Sequence, residues 1–512
     1  MIRVFISIFT LLLLLNRSQQ LNISVPLPPE KHDSARQQRQ LCYVSWNETF
    51  SRCSNWAGTR TWEPLGLFAP NNEDELSKFL KYSNKTHFKI IGFGHSWAGL
   101  YIPPKNTLGN LGITVALHKL SGITQFLNKN YCLVSNTFNP YQVTDIEVMT
   151  GTSFVELHQK LDEIGLSLSW QSGGIQGLTV GGAISVGFHG SQMSSSSISS
   201  VVDSLTIYDT YGRQHVLKNN KQNKKIMSAT RLGLGVCGVI TRAILPVEPQ
   251  FFLRRRRWIE PNIALFLSRD LTRLKSTYDR FHYYIHPHSS SAWPMYWENA
   301  THQEFIDEAR PCRTAQDQWE DELEKNYGKD GLPLIMRWDN CTDKSYKAYT
   351  HAIDMEAQPL WNGEWFVNMS DKEESETILT ILDIFQKIAQ ENELNNKKPD
   401  LDLWLHVRYM RGDDIYLHPC YGWELCAGFE LALVAKGMKD PLPHENNWYR
   451  YYTPFENYLK SKAGRPHWAK DHSIDPEYIS KSGLAISSFL EQCKVLNPQN
   501  IQGVHPELIY KN

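Results

Sequence analysis

Charge of one sign, long apolar runs and closely spaced cysteines are all scarce in this chain, and each scarcity removes a class of protein. Lys and Arg number 53 against 54 Asp and Glu, a formal net charge of −1. Without a basic excess there is no footprint for nucleic acid, and without a net field there is no strong steering of an ionic ligand. After the first fifteen residues no apolar run is long enough to cross a membrane. The nine cysteines include no CxxC pair, and no His/Cys cluster has zinc-ligand spacing. Neither a dense disulfide framework nor a metal centre is therefore expected. Also missing is a strand–GxGxxG–helix unit with an acidic residue about twenty positions on, which disfavours a Rossmann dinucleotide fold. There is no internal repeat, and the one low-complexity tract, Ser194 to Ser200, reads as a flexible loop.

What is present begins with a leader. Met1-Ile2-Arg3 runs into apolar Val4 to Leu15 and then polar Asn16 to Gln20. This is the pattern of a signal peptide over residues 1–20. An uncleaved anchor is the other reading, and this segment is the only route to a membrane. Asn-x-Ser/Thr sequons at Asn22, Asn47, Asn84, Asn299, Asn340 and Asn368 fit a glycoprotein of the secretory pathway, secreted or held in the endoplasmic reticulum. Cys420 with Cys426, Cys42 with Cys53 and Cys312 with Cys341 are candidate bridges, whereas Cys237, inside an apolar run, reads as a buried free thiol. Arg254 to Arg257 read as a solvated strand start or a processing site.

A chain of 512 residues needs more than one core. Residues 21–50 are polar and proline-containing, an arm. From 51 to 250 short strands alternate with helices. Leu76, Phe79 and Leu80 share a face in a helix over 72–82, Phe88 to Ile91 form a strand, and Leu157, Leu161 and Ile164 mark a helix over 154–164. Residues 251–455 carry longer strands, among them Trp404 to Met410 and Phe429 to Ala435, with a helix near 373–390 over one sheet face. Residues 456–512 form a returning tail. The pattern is α+β. Most of the 16 Trp and 23 Tyr are assigned to the core, the rest to a site or interface.

Glycine marks the chemistry. Ile90-Ile91 runs into Gly92-Phe93-Gly94-His95-Ser96, a turn whose amides can close on a bulky anionic group because no Cβ blocks the approach. A histidine there is a ligand, a base or a covalent tether, unless the turn is a plain strand connection. Farther on, Gly173 to Gly190 holds seven glycines in eighteen positions, and Leu232 to Thr241 again sets glycines in an apolar run.

These three segments, in this order, together with Gly464-Arg465-Pro466-His467-Trp468-Ala469-Lys470, resemble the vanillyl-alcohol-oxidase-like FAD flavoproteins, in their sugar-lactone and alditol oxidase branch. The resemblance runs from about Ser54 to the end. It implies a two-subdomain FAD-binding domain of the PCMH type and an α+β substrate or cap domain with an antiparallel sheet. It further implies an FAD-dependent oxidoreductase acting on CH–OH with dioxygen as acceptor. The substrate would be an aldono-1,4-lactone such as L-gulonolactone, a hydride would pass from carbinol to flavin, and dioxygen would become hydrogen peroxide. Oxidation at C2 gives a 2-keto lactone that tautomerises to an ene-diol, the chemistry of ascorbate formation. An alditol or carbohydrate oxidase is the rival within this class. A secreted flavin-binding protein without turnover is the rival outside it.

Residue by residue, the resemblance makes His95 the covalent anchor of FAD, with Gly92, Phe93, Gly94 and Ser96 around it. It places Gly181, Gly182, Ser185, Gly187, His189 and Gly190 along the pyrophosphate and flavin rim, and Gly235, Gly238 and Ile240 on the adenine side. The bare positions at Gly181 and Gly182 leave room for dioxygen. Where the family shows Glu-x-Arg, this chain has His406-Val407-Arg408. Residues two apart in a strand share a face, so His406 and Arg408 point together into a cavity beside Trp404. Arg408 can stabilise a developing alkoxide or the anionic reduced flavin. Glu430 stands on the next strand where alditol-oxidising relatives place a histidine. His406 and Glu430 therefore read as an exchanged pair, the carboxylate favouring a charged imidazole. The other reading is a solvent-facing Glu430 and altered or lost catalysis. Lys470 would bring an ammonium to the flavin and the bound hydroxyls, His467 and Trp468 would pack and position, and Asp413 and Asp414 would form a turn.

Overall fold

The computed structural model describes residues 42–44, 51–82, 86–105, 111–128, 139–171, 177–287, 291–308, 310–312, 340–349, 360–394, 403–434 and 444–503. Outside the described residues lie the leader 1–20, all of the arm 21–50 but a strand at Cys42–Val44, the sequons at Asn22, Asn47 and Asn84, and Gly173 to Gln176. Among the described residues no helix is long and apolar enough to cross a membrane.

The first half of the chain builds two small layers. Strand β1 (Phe88–Ile91) pairs in parallel with Ile113–Ala116, which pairs in parallel with Gly66–Phe68. The helix Glu73–Tyr82 buries Leu76 and Leu80 against them. Helix α1 (Phe154–Glu163) starts where Ser153 Oγ accepts from Glu156 N, and it buries Leu157 and Leu161 at helical spacing. Helix α2 (Val180–Val186) is capped by Thr179 and closed by Gly187 at φ 71°, a left-handed end that suits glycine. Both helices pack on an antiparallel sheet through Ile146, Leu205 and Leu245. Its order is Gln214–Lys218, Ser204–Tyr208, β2 (Val239–Pro249), Asp145–Met149 and Ile123–Leu127, with Leu166–Leu168 also on β2.

The second half is one eight-stranded antiparallel sheet. Its centre is β3 (Arg280–His286), β4 (Leu360–Val367), β5 (Leu403–Arg411) and β6 (Leu425–Val434), adjacent in the order β3-β5-β6-β4. Helix α3 (Asp371–Leu394) covers one face, with Ile378, Ile381 and Phe385 against Leu405, Val407 and Phe429. Buried Glu374 on α3 ties helix to sheet by accepting from Tyr283 Oη (2.6 Å), and it also receives Lys275 Nζ (2.7 Å) from the helix Leu271–Thr277. With the odd-numbered residues of β5 committed to that face, its even-numbered residues look the other way.

Three expectations are corrected here. The serine tract is pinned, not loose: Ser194 N donates to Asp279, Ser196 Oγ meets His418, and Ser199 Oγ donates to Ile184 O, with Ser197 and Ser199 buried. Arg254 to Arg257 lie within the strand Phe252–Arg257, where Arg255 is fully buried and Arg254 pairs with Glu304 and Glu308. Cys237 is no free thiol. It is disulfide-bonded to Cys493 on α4 (Ile486–Leu496), a residue 256 positions away. Cys312 is bridged to Cys341 and Cys420 to Cys426. Cys53 is also disulfide-bonded and stands opposite Cys42 in the strand register.

Candidate active site

Between the glycine-rich segments and the open face of the eight-stranded sheet lies a long cavity. Its wall draws on the His95 turn, the other two glycine-rich segments, the sheet and the Gly464–Lys470 motif, a lining that suits a dinucleotide with a small substrate at one end. Gly92, Phe93, Gly94, His95 and Ser96 line it, as do Gly181, Gly182, Ser185, His189, Gly235, Gly238 and Ile240. Gly187 and Gly190, expected on the same wall, do not. Gly187 is spent closing α2, and the Gly190 carbonyl faces His189 Nδ1 at 2.8 Å.

The bare positions have local causes. A Cβ on Gly92 would run into Thr179 Oγ1, the cap of α2, and one on Gly181 would come within 2.8 Å of Thr150. Gly94, Gly235 and Gly238 hold φ of 72°, 67° and 81°. His95 is stacked on Trp56 with ring centroids 4.9 Å apart. Burial, helped by Lys470, pulls its imidazole down to about 3, so the ring is neutral. The Gly464–Lys470 motif docks directly on this turn: Trp97 N donates to Ala469 O at 2.7 Å, and Ser96 Oγ reaches the same oxygen at 3.4 Å. The C-terminus also clamps the third glycine segment, where Gln502 both accepts from Gly238 N and donates to Gly238 O.

Strand register assembles the charged end. His406 of β5 stands opposite Tyr284 of β3 and Glu430 of β6, and Glu430 stands opposite Glu364 of β4. Opposed residues share a face, so this row crosses the sheet on the cavity side. Two residues along lies the row Trp404, Ala432, Asn362; two the other way lies Arg408, Gly428, Phe366. His406 Nδ1 lies 2.9 Å from Glu430 Oε2. Glu430 also receives Asn362 Nδ2 at 2.8 Å, Lys470 Nζ at 3.0 Å and the Arg408 guanidinium at 3.2 Å. Arg408 itself grips Glu364, with Nη2 2.7 Å from each carboxylate oxygen. Glycine at 428 permits this grip, since a Cβ there would sit 3.0 Å from Glu364 Oε1 and 2.7 Å from the Phe366 ring.

A buried guanidinium and a partly buried ammonium thus face two buried carboxylates. Burial pushes Glu430 upward, but Arg408, Lys470 and His406 outweigh it and hold the group well below the usual carboxylate range. Glu364 is held low against the same burial by Arg408 and His189. The expected charged imidazole is not found at His406. Burial, with Arg408 beside it, outweighs Glu430 and pulls His406 down to about 4. Glu430 ionised and His406 neutral fix the tautomer. Nδ1 carries the proton and donates to Glu430, and Nε2 accepts from His282 Nδ1–H at 3.0 Å. His406 therefore steadies Glu430.

Glu364, Asn362, Tyr284 and His282 escaped the sequence reading. Asn362 and Glu364 alternate inside the aromatic strand Leu-Trp-Asn-Gly-Glu-Trp-Phe-Val, and polar residues at period 2 in such a run were the available signal. His189, Glu364 and His467 come close enough to suggest a metal ion. Several of their atoms have other partners. Glu364 is bidentate to Arg408, His467 Nδ1 accepts from Ala469 N at 3.1 Å, and an added cation would lie against the guanidinium.

A cavity that draws on three glycine-rich segments along its length and is charged only where it meets the sheet suits a long dinucleotide with its reactive ring at the charged end. That arrangement, on this fold, is a PCMH-type FAD-dependent oxidoreductase. Residues 64–218 match the FAD binding domain family. Residues 243–503, about half of the chain, match the D-arabinono-1,4-lactone oxidase family, and the chain belongs to it.

Among relatives, the chain is similar to L-gulonolactone oxidase of Scyliorhinus torazame, 24% identical over 461 residues covering 87% of this chain and 95% of that one. It is also similar to D-arabinono-1,4-lactone oxidase of Candida glabrata, 28% identical over 242 residues, 47% of this chain and 42% of that one. The fold is like that of a cholesterol oxidase from B. sterolicum, with a TM-score of 0.68, 12% identity, and coverage of 89% and 96%.

Proposed function

We propose that the protein is an FAD-dependent oxidase of an aldono-1,4-lactone, releasing hydrogen peroxide. The observation that carries this reading is Glu430: a buried carboxylate on the cavity wall, held by His406, Arg408, Lys470 and Asn362. Bound FAD supplies the hydride acceptor and passes the electrons on to dioxygen. The turn Gly92 to Ser96, with Gly181, Gly182 and Ser185, would hold it, and Gly235 to Ile240 would line its far end. His95, neutral and buried, keeps a nitrogen lone pair at neutral pH and is the residue for a covalent bond to the cofactor. Gly181 and Gly182 leave the approach for dioxygen.

A carbinol that gives up hydride becomes a protonated carbonyl, whose proton is strongly acidic. A carboxylate held low by Arg408 and Lys470 still takes that proton. Once Glu430 is protonated, the cluster of Arg408, Lys470, Glu364 and Glu430 changes from neutral to +1. Arg408 and Lys470 would thereby be free to stabilise negative charge on the reduced cofactor without moving. The leader, the exposed sequons at Asn299 and Asn368, and the disulfides support passage through an oxidising secretory compartment.

Peroxide release measured across a panel of aldono-1,4-lactones, alditols and sugars tests the reading. Turnover of lactones is expected. Turnover of alditols alone points to the alditol oxidase reading, and a yellow protein that makes no peroxide from any of them points to a binding protein.

A further inference from the structure

Two buried polar atoms on the cavity wall have no hydrogen-bond partner among the described residues: Trp404 Nε1 and Asn362 Oδ1, on side chains 3% and 2% exposed. A polar atom buried this way has given up water without gaining a partner, and folded proteins leave few such atoms. These two share a row, facing one another across Ala432, whose methyl offers neither a donor nor an acceptor. Their orientations are fixed. Asn362 Nδ2 donates to Glu430 Oε1 at 2.8 Å, and flipping the amide would set oxygen against carboxylate, so Oδ1 stays the open acceptor. Trp404 is held edge-on by Tyr284, with ring centroids 5.3 Å apart.

We propose that this row is a second recognition point for the substrate, with Asn362 reading a hydroxyl near the carbinol that is oxidised and Trp404 reading one remote from it. Trp404 Nε1–H donates to one substrate oxygen, and Asn362 Oδ1 accepts from a substrate hydroxyl. The inference rests on the lactone oxidase reading and adds which part of the lactone is read. Asn362 adjoins the base, its Nδ2 2.8 Å from Glu430 Oε1, whereas the Trp404 ring stands farther off, 5.9 Å from the His406 ring between centroids. That exceeds the width of a five-membered ring and matches the reach from a ring carbinol to hydroxyls on an exocyclic chain. The preferred substrate class is therefore an aldono-1,4-lactone with a hydroxylated side chain.

The test compares wild type with Trp404→Phe, which keeps a ring and removes the N–H, on two substrates. One is a lactone with its side chain intact, the other the same lactone deoxygenated on that chain. For the intact lactone, kcat/KM should fall about tenfold in the variant, mainly through KM, while the deoxy lactone gives the same low value with both proteins. The rise in melting temperature caused by each lactone gives a readout independent of turnover and should follow the same pattern. An equal loss on both substrates, or no loss on the intact one, overturns the proposal. If the variant does not fold, wild type alone decides, and a preference under threefold for the intact lactone overturns it. Wild type that turns over neither lactone refutes the oxidase reading. The melting arm then still judges the row: stabilisation by the intact lactone alone supports it, and equal or absent stabilisation overturns it.

Discussion

Exchanging His406 and Glu430 keeps the chemical groups of the central row and reverses their places, so it asks whether the pair acts as a unit. At rest Arg408 and Lys470 are balanced by Glu364 and Glu430. His406→Glu alone adds a third carboxylate where a ring nitrogen now lies 2.9 Å from Glu430 Oε2. Two unit charges 4 Å apart interact by about 4 kcal/mol at an effective dielectric constant near 20. One of the three carboxyls must then bind a proton at neutral pH. Glu430→His alone leaves Lys470, Asn362 and His406 Nδ1 as donors facing a ring with a single lone pair. Each single change should slow flavin reduction by about a hundredfold or more.

The double variant restores one carboxylate and one imidazole across the same backbone pair, and His282 Nδ1–H can donate to the carboxylate introduced at position 406. It does not restore the contacts of Lys470 and Asn362, so recovery should be partial. The expected coupling is about 2 kcal/mol, within the range for residues in contact and equal to about thirtyfold in rate. Anaerobic stopped-flow reduction with saturating lactone gives the rates, and thermal melts confirm folding. A double variant whose defect is the product of the two single defects, within threefold, would show that the row does not act as a pair.

Wild-type protein precipitated in acid and washed should stay yellow, and His95→Ala should release its flavin on denaturation; a colourless wild-type pellet disproves the covalent bond. Gly428→Ala puts a Cβ 3.0 Å from Glu364 Oε1 and 2.7 Å from Phe366. Overpacking of this kind costs about 1–3 kcal/mol, so the melting temperature should drop, and an unchanged melt would show that Glu364 and Phe366 yield freely. Stability should fall with pH from about 6.5 downward, before the carboxylate range is reached. Burial lowers His406 and His472 to about 4, His158 and His418 to about 3, and His467 well below its usual value. The unfolded chain binds those protons first, so each histidine removes up to about 1.4 kcal/mol per pH unit as pH falls toward its folded value. A urea midpoint that stays flat between pH 7 and 4.5 would contradict this.

What the chain revealed in advance follows from where each signal resides. The glycines of the His95 turn and of α2 were visible because their backbone must pass within contact of Thr179 and Thr150, a demand met by one residue type at one position. The period-2 rule likewise put His406 and Arg408 on one face, which needs only β5 itself. The tract at Ser194 to Ser200 misled because composition reports what a segment could do alone. Asp279, His418 and Ile184 supply the partners that fix it. Cys237 misled for the same reason, its partner being 256 residues away.

Glu364 shows why the site could be read only in part. Nothing in Trp-Asn-Gly-Glu-Trp distinguishes a buried ion-pair partner from a polar residue on an exposed face. Its role exists only because Glu430 stands opposite it and a glycine at 428 leaves space for its carboxylate to reach Arg408. The same dependence would account for His406 standing where the resemblance implies a glutamate. A carboxylate on β5 at position 406 and one on β6 at position 430 are neighbours across a single backbone pair. Moving it between strands changes the one-dimensional motif completely. On the cavity wall it leaves one carboxylate and one imidazole between Tyr284 and Glu364, within reach of Lys470. A motif search scores that as a loss, whereas the sheet scores it as a displacement of one strand spacing, about 4.8 Å. Chemistry that tolerates such a displacement is defined by the row and not by the strand, and this is the property that the reciprocal exchange measures.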